Sequence, residues 1–414
     1  MRLAVIGAGI SGLVAAYLLS PEHEVTVFEA NRHLGGHSHT VEVTVDGRAY
    51  PVDTGFVVFN EITYPNFVKI LRRLGVSWQP ANMSFSITNA QTGMEFGFRT
   101  LNGLFAQRRN LVRPAFYRLL LDIWRFRRES VELSQDKTFA NTLGHYLALK
   151  KYSRPFVEDF IIPLGSAIWS ADPRTLHNFP ARYFAEFFQR HRFLNLRHKV
   201  RWQTIRGGSR QYVEPLVRPF KDRVRLNCPV AEVKRQRDFV EVKPRQGEPE
   251  RFDRVIIAGH SDQALAMLVD ASASEREILS TFPYQENSTV FHSDVSLMPA
   301  RRAAWASWNY YLAADSPEQV TVTYHMNRLQ SLDAPVDFLV TLNRDREVDP
   351  QKIIKHLTYH HPVYTQQAPI AQQRWPEING VNRTYFCGAY WGYGFHEDGV
   401  VSALNVCRHF GVGL

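Results

Sequence analysis

Gly7, Gly9 and Gly12 stand at the spacing G-x-G-x-x-G, within Gly7-Ala8-Gly9-Ile10-Ser11-Gly12. The chemistry of that pattern is to hold a dinucleotide diphosphate. The first glycine turns the chain tightly, the second lets the backbone approach a pyrophosphate, and the third lets a helix pack closely on a strand. Free N–H groups in the first helical turn, around Ser11, then hold phosphate with help from the helix dipole. Glu29, farther on, can accept hydrogen bonds from ribose hydroxyls.

A second set of reactive side chains lies near the C-terminus, between Cys387 and Gly399. His396 can act as a general base near neutral pH. Glu397 or Asp398 could orient it, although Asp398 fits better as the N-cap of a last helix. Tyr390, Trp391 and Tyr393 are large apolar walls that either frame a substrate or pack a domain interface. His396, Tyr393 and Trp391 are the catalytic candidates. Asn60, Tyr64, Trp308, Asn309, Tyr310 and His325 are weaker ones. His37/His39 and His360/His361 lack companion ligands at metal-site spacing, so no metal is expected.

The elements that must position these groups are legible. Leu3–Ile6 is an apolar run suited to a buried parallel strand, a helix runs to Leu19, and a second strand, Glu24–Phe28, ends at Glu29. That is the context the glycine pattern requires. The run Leu3–Leu19 reads as this strand–turn–helix and not as a signal peptide. Arg206-Gly207-Gly208-Ser209 precedes a helix over 210–217. Strands are expected at 224–230, 239–242, 252–258 and 384–387, and Gly399-Val400-Val401-Ser402 opens the last helix. Pro114 suits a first helical turn, and Val112, Phe116, Leu119, Leu120 and Ile123 give that helix one apolar face. Strands at 320–324 and 338–342 complete the pattern.

The segment after Glu29, Asn31-Arg32-His33-Leu34-Gly35-Gly36-His37, resembles the flavin-containing amine oxidase and desaturase superfamily. The resemblance implies FAD, bound non-covalently, since Cys387 lies away from the position where covalent members link their flavin. It implies an α/β fold, with a discontinuous Rossmann-type FAD-binding domain (1–80, 200–280 and 376–414) and an α+β substrate or cap domain (81–199 and 281–375). Ala30, Arg32, Gly35, Gly36 and His37 would pass the diphosphate. Thr54, Gly55 and Phe56 would run under the flavin, and Val230 would meet the adenine. Gly259, Gly388, Gly399 and Val400 would complete the site, with the last helix facing the pyrimidine end of the flavin.

Composition is 44% hydrophobic and 21% charged, which excludes a disordered, collagenous or coiled-coil chain. Three scattered cysteines exclude a disulfide framework and fit a reducing, cytoplasmic compartment. No stretch is apolar enough to cross a membrane. The net charge of +9 is concentrated. Residues 99–128 hold eight arginines against Asp122 alone, and residues 182–210 hold seven arginines and Lys199 against Glu186 alone. Leu104, Phe105, Phe184, Phe187, Phe188, Phe193 and Trp202 interleave with these charges. They read either as a solvated basic face or as attachment to the inner face of an anionic membrane. No nucleic-acid module is present, so nucleic acid is not expected as a partner.

Four strings sharpen the resemblance: Asp53–Asn60, Phe291–Asp294 with Leu297-Met298-Pro299, Trp305–Tyr310, and Gly394–Gly399. They resemble a bacterial group of FAD-binding proteins encoded beside cyclopropane-fatty-acid-synthase-like methyltransferases. That implies dehydrogenation of a modified fatty acyl chain of a membrane phospholipid. An amine oxidase, a redox-neutral flavin mutase or isomerase, and a non-enzymatic flavin-bearing partner of the methyltransferase share the pattern.

Overall fold

The computed structural model describes residues 1–191, 200–314 and 319–414. At its centre is a five-stranded parallel sheet in the order Val224–Arg225, Glu24–Phe28, Arg2–Ile6, Arg254–Ile257, Thr384–Phe386. Leu3, Val5, Val25, Val27, Val255 and Ile256 are fully buried. Strands covered on both faces need such unbroken apolar runs. The helix Ile10–Leu19 covers one face, with the last helix, His396–Arg408, packed against it. The other face meets a three-stranded antiparallel sheet (230–235, 240–244, 250–252) through an edge-to-face contact of Phe28 with Phe252. The five parallel strands come from 1–80, 200–280 and 376–414.

The run expected as one strand over 224–230 divides. Val224–Arg225 joins the parallel sheet and Val230–Arg235 joins the three-stranded one. Asn227 has φ of +51°, which breaks the extended chain between them.

The second sheet has seven strands, in the order 353–362, 284–292, 339–342, 322–325, 308–312, 85–89, 94–97. All its pairings are antiparallel except that of Trp308–Leu312 with Phe85–Asn89. A helical lobe from 101 to 190 packs beside it. Its longest helix, Pro114–Gln135, begins on proline as expected and buries Phe116, Leu119, Phe126 and Leu133. Leu120 and Ile123 are half-buried, whereas Val112 precedes the helix and is exposed. Phe126 meets Phe184 and Phe188 of the helix Ala181–Arg190.

This packing corrects one expectation. Phe184, Phe187 and Phe188 are buried, and Leu104 and Phe105 pack against the core, so none of them is placed to enter lipid. Phe193 and Lys199 lie outside the described residues. No helix among the described residues is long and apolar enough to cross a membrane.

Candidate active site

The glycine turn works as its spacing predicts. Gly7 has φ of +102°, and a Cβ there would press on the backbone of Ala258 at 3.1 Å. A Cβ on Gly12 would lie 2.0 Å from the Gly7 carbonyl oxygen, so Gly12 sets the helix against the strand. Gly12 is therefore a packing residue and does not line the cleft. Gly9 differs: a Cβ there would meet nothing within 4 Å. That open space is where a dinucleotide backbone would pass. The Gly35–Gly36 loop crosses this point, with the Gly35 N–H donating to the Ala8 carbonyl at 2.8 Å. Glu29 is buried at the end of its strand and lines the cleft. Its carboxylate accepts the Ala8 and Asn31 N–H groups, each at 2.8 Å.

Beyond the loop the chain is fixed by Asp53. Its buried carboxylate accepts hydrogen bonds from Thr40 Oγ1 (2.6 Å), Ser209 N–H (2.9 Å), Ser209 Oγ (2.8 Å) and Gln330 Nε2 (3.2 Å). Burial outweighs these donors and pushes Asp53 up to about 6. The hub aligns Thr54-Gly55-Phe56 along the cleft. A Cβ on Gly55 would lie 2.3 Å from the His37 carbonyl oxygen, and that same oxygen accepts the Phe56 N–H at 2.7 Å. His37 faces Tyr359 and His361, with ring centroids 5.0 and 5.3 Å away. Burial lowers His37 to about 4, and its Nε2 is buried without a hydrogen-bond partner.

The last helix completes the site from below. His396 opens it, stacked on Phe56 with centroids 3.6 Å apart. Its Nε2 is 2.6 Å from the Tyr212 hydroxyl and 3.3 Å from Ser38 Oγ. Burial pushes the ring down to about 3. His396 lines the cleft, but as a neutral ring with an engaged Nε2 and little basicity. Burial and the engaged Nε2 work against proton abstraction by His396 and suit a positioning role. Glu397 does not orient it. The Glu397 carboxylate instead accepts the Asn66 and Phe67 N–H groups at 3.0 and 2.9 Å, capping the helix Pro65–Arg73. Asp398 is not the expected N-cap: Phe395 takes that position, and Asp398, inside the first turn, accepts its N–H at 2.9 Å. Burial raises Asp398 to about 7.

The cleft holds about 1190 Å³ and continues from this cradle into a chamber of the second domain. Ser11, Ala30, Gly36, Val230, Gly259 and Gly388 lie on the cofactor side. Met83, Ile168, Trp308, Met326, Leu329 and Val340 lie on the other. Apart from Trp308, the chamber residues escaped sequence reasoning because an apolar side chain looks the same whether it lines a core or a cavity. His260, Tyr359 and His361 also line the cleft. Of these, only His361 belongs to a histidine pair singled out from the sequence.

Several expected site residues stand elsewhere. Arg32 is exposed and outside the cleft lining. A Cβ on Gly399 would lie 2.8 Å from Ile10 Cγ2, so Gly399 seats the last helix on the first, where Val400 is fully buried. Trp391 packs on Phe282 and Tyr390. The Tyr393 ring lies against that of Tyr183, centroids 4.3 Å apart and tilted by 34°, and its hydroxyl donates to Glu186 at 3.3 Å. Neither is among the cleft-lining residues: Tyr393 holds the cap helix Ala181–Arg190 to this loop, and Trp391 packs the loop on Phe282. Tyr390 lines the cleft instead. Of the weaker candidates, Tyr64 and Trp308 line it. Asn60 caps its own turn, Asn309 bonds Ser86, Tyr310 is core, and His325 pairs with Asp337 at 2.8 Å. Among the described residues no three His, Cys, Asp or Glu side chains converge as metal ligands.

The profile of flavin containing amine oxidoreductases matches residues 10–293, well over half of the chain. The chain belongs to that family. Bovine flavin-containing amine oxidase A is 23% identical over 94% of this chain and 75% of its own length. A 4,4'-diapophytoene desaturase of Staphylococcus aureus is 36% identical over 63 residues, a stretch covering 15% of this chain and about an eighth (12%) of the desaturase. In three dimensions, a CLA-producing fatty acid isomerase from P. acnes superposes with a TM-score of 0.71 at 18% identity, over 99% of this chain and 98% of that one. Cyclohexylamine oxidase from Brevibacterium oxydans gives 0.70 at 16%, over 99% of each chain. These likenesses show the fold. The flavin of the family fits this site: the open face of Gly9, the unpartnered Nε2 of His37 and the cleft-lining Glu29 are the groups FAD would occupy.

Proposed function

We propose that this family member is an FAD-dependent oxidoreductase that dehydrogenates a modified fatty acyl chain of a membrane phospholipid. The single observation that carries the reading is the chamber, which continues from the cofactor cradle with walls of Met83, Ile168, Trp308, Met326, Leu329 and Val340. Such walls favour an acyl chain by about 0.8 kcal/mol for each buried methylene. They offer a cationic head no carboxylate. Among the described lining residues the carboxylates are Glu29 and Asp53, and both are engaged by backbone and hydroxyl donors.

When bound, FAD would supply the two-electron acceptor: as the carbon–carbon double bond forms, one hydrogen would go to the flavin as hydride and the other would leave as a proton to solvent. The protein's own part is positional. Asp53 ties the segments 40, 209 and 330 so that Phe56 and His396 present a fixed stacked pair. The apolar walls keep water from the reacting carbon. His37 holds a neutral Nε2 free to hydrogen-bond the cofactor.

The fatty acid isomerase of the same fold suits this reading, and the partial desaturase likeness is compatible with it. An amine oxidase remains the second reading, favoured by the aromatic residues Tyr390 and Phe395 of the segment that leads into the last helix, both lining the cleft. The proposed setting is the cytoplasmic face of the membrane, with a lipid methyltransferase as supplier of the modified chain. Lipid mass spectrometry of cells with and without the protein tests it. The expected result is a phospholipid acyl chain lighter by two hydrogens. An unchanged mass with a moved double bond marks isomerisation instead. An unchanged lipid profile with peroxide released from amines overturns the lipid reading. A lipid change that needs only the protein's presence, with a flavin that never cycles, marks the non-enzymatic partner.

A further inference from the structure

The cap helix Pro114–Gln135 is apolar on two sides. Its inner side is the core face described above. On the outer side Tyr117, Leu121, Trp124 and Val131 fall at i, i+4, i+7 and i+14, in one row along the helix. Leu121 is 63% and Trp124 55% exposed. The Tyr117 hydroxyl donates to the Leu111 carbonyl at 2.8 Å, which brings exposed Leu111 and Val112 to the start of the row. Single exposed apolar residues are ordinary on a protein surface, but a continuous row is not.

Cations flank it. Arg108, Arg109, Arg118 and Arg128 are exposed, and the Arg128 guanidinium lies over the Trp124 ring at 5.0 Å. Arg118 pairs with Asp122 and Arg125 with Glu129. Among the described residues, Arg108, Arg109, Arg127 and Arg128 pair with no carboxylate. Exposed Glu132 stands at the C-terminal end of the row.

We propose that this outer face docks on an anionic phospholipid bilayer. Tyr, Trp and Leu suit the boundary between headgroups and acyl chains, while arginine stems lie on apolar surface and their heads reach phosphate. Charge selects this occupant. A second copy would set arginines against arginines, which repel. The inner Phe126 meets Phe184 and Phe188, and Phe187 of that same second helix lines the cleft. The docked row therefore lies two helices from the chamber. The inference deepens the acyl-chain reading and rests on it for the meaning of that proximity.

Flotation of the flavin-loaded protein with phosphatidylcholine vesicles, with and without phosphatidylglycerol, tests the proposal. Binding should need phosphatidylglycerol and weaken with salt. Leu121→Gln with Trp124→Gln, and separately Arg108→Gln with Arg109→Gln and Arg128→Gln, should each weaken it about tenfold or more. Flavin absorbance and melting temperature should stay unchanged, which shows the variants fold. Wild-type protein that does not float, or either variant set floating as well as wild type, overturns the proposal. So does a wild-type dimer that the Leu121/Trp124 pair converts to monomer, since a second copy then covers the face. The vesicles carry plain acyl chains and no turnover is read. Docking without lipid oxidation elsewhere would retire the acyl-chain reading alone, and oxidation of detergent-dispersed lipid without flotation would retire the docking alone.

Discussion

The Tyr212 hydroxyl lies 2.6 Å from Nε2 of His396, joining the middle of the chain to the first residue of its last helix. Ser38 Oγ hydrogen-bonds the same hydroxyl, so three separate segments meet at one buried imidazole. The contact holds the ring flat on Phe56, facing the cleft. It also occupies Nε2, one of the two ring nitrogens through which an imidazole can take a proton. Tyr212→Phe should cost about 1 kcal/mol of stability, the worth of an ordinary hydrogen bond. It should slow turnover by less than about tenfold, whereas loss of a general base costs about 10²–10⁴-fold. Denaturant melts and single-turnover rates of Tyr212→Phe and His396→Gln check this together.

Gly9 and Gly12 should separate cofactor binding from folding. Gly9 has ordinary φ of −74° and open space at its missing Cβ. Gly9→Ala should therefore fold with a stability change under about 1 kcal/mol, yet lose FAD affinity at least about tenfold, because the new methyl enters the dinucleotide's path. Gly12→Ala drives a methyl into the Gly7 carbonyl and should destabilise by about 1–3 kcal/mol or more through overpacking. Melting curves with and without added FAD, read beside bound-flavin absorbance, distinguish the two.

Acid should unfold the flavin-free protein early. Burial holds His37, His260 and His292 at about 4 and His396 at about 3, below an ordinary imidazole near 6.5. Between these values the unfolded chain binds more protons, so this part of the stability is present above about 6.5 and lost as pH falls toward 4. Asp53 and Asp398, raised by burial, act in the opposite sense and lose stability as pH rises from about 4 through 6 and 7. The rings outnumber the carboxyls, so the melting temperature should fall as pH drops from 6.5 to 4. His37→Asn should flatten that fall.

Asp398→Asn isolates the opposing contribution. An asparagine oxygen can still accept the Phe395 N–H, while the buried charge disappears. The variant should be about 1–3 kcal/mol more stable than wild type at pH 8, and the gain should vanish near pH 4. Denaturant titrations at the two pH values measure it.

The sequence made the parallel sheet and the phosphate turn legible because their constraints are local: unbroken apolar runs at Leu3–Ile6 and Val255–Ile257, and glycines whose roles follow from spacing. It did not separate Trp391 and Tyr393 from Tyr390. All three are aromatic within four residues, and the choice between cleft and cap interface depends on where Tyr183 and Phe282 lie. The histidine at 396 looked like a base because residue type carries no record of burial or of Tyr212, distant in sequence. The helix Pro114–Gln135 hid its exposed row for a related reason. Phe116, Leu119 and Phe126 give one apolar face and Tyr117, Leu121 and Trp124 another, so periodicity alone does not say which face is solvent.

The most direct measurement is anaerobic mixing of the purified flavoprotein with phospholipids bearing methylated or unsaturated acyl chains, following flavin absorbance and product mass together. The expected result is bleaching of the flavin with loss of two hydrogens from the acyl chain, and no bleaching by simple amines. A flavin that stays oxidised with every lipid but bleaches with amines would contradict an acyl chain as the occupant of the chamber beside His396 and Phe56.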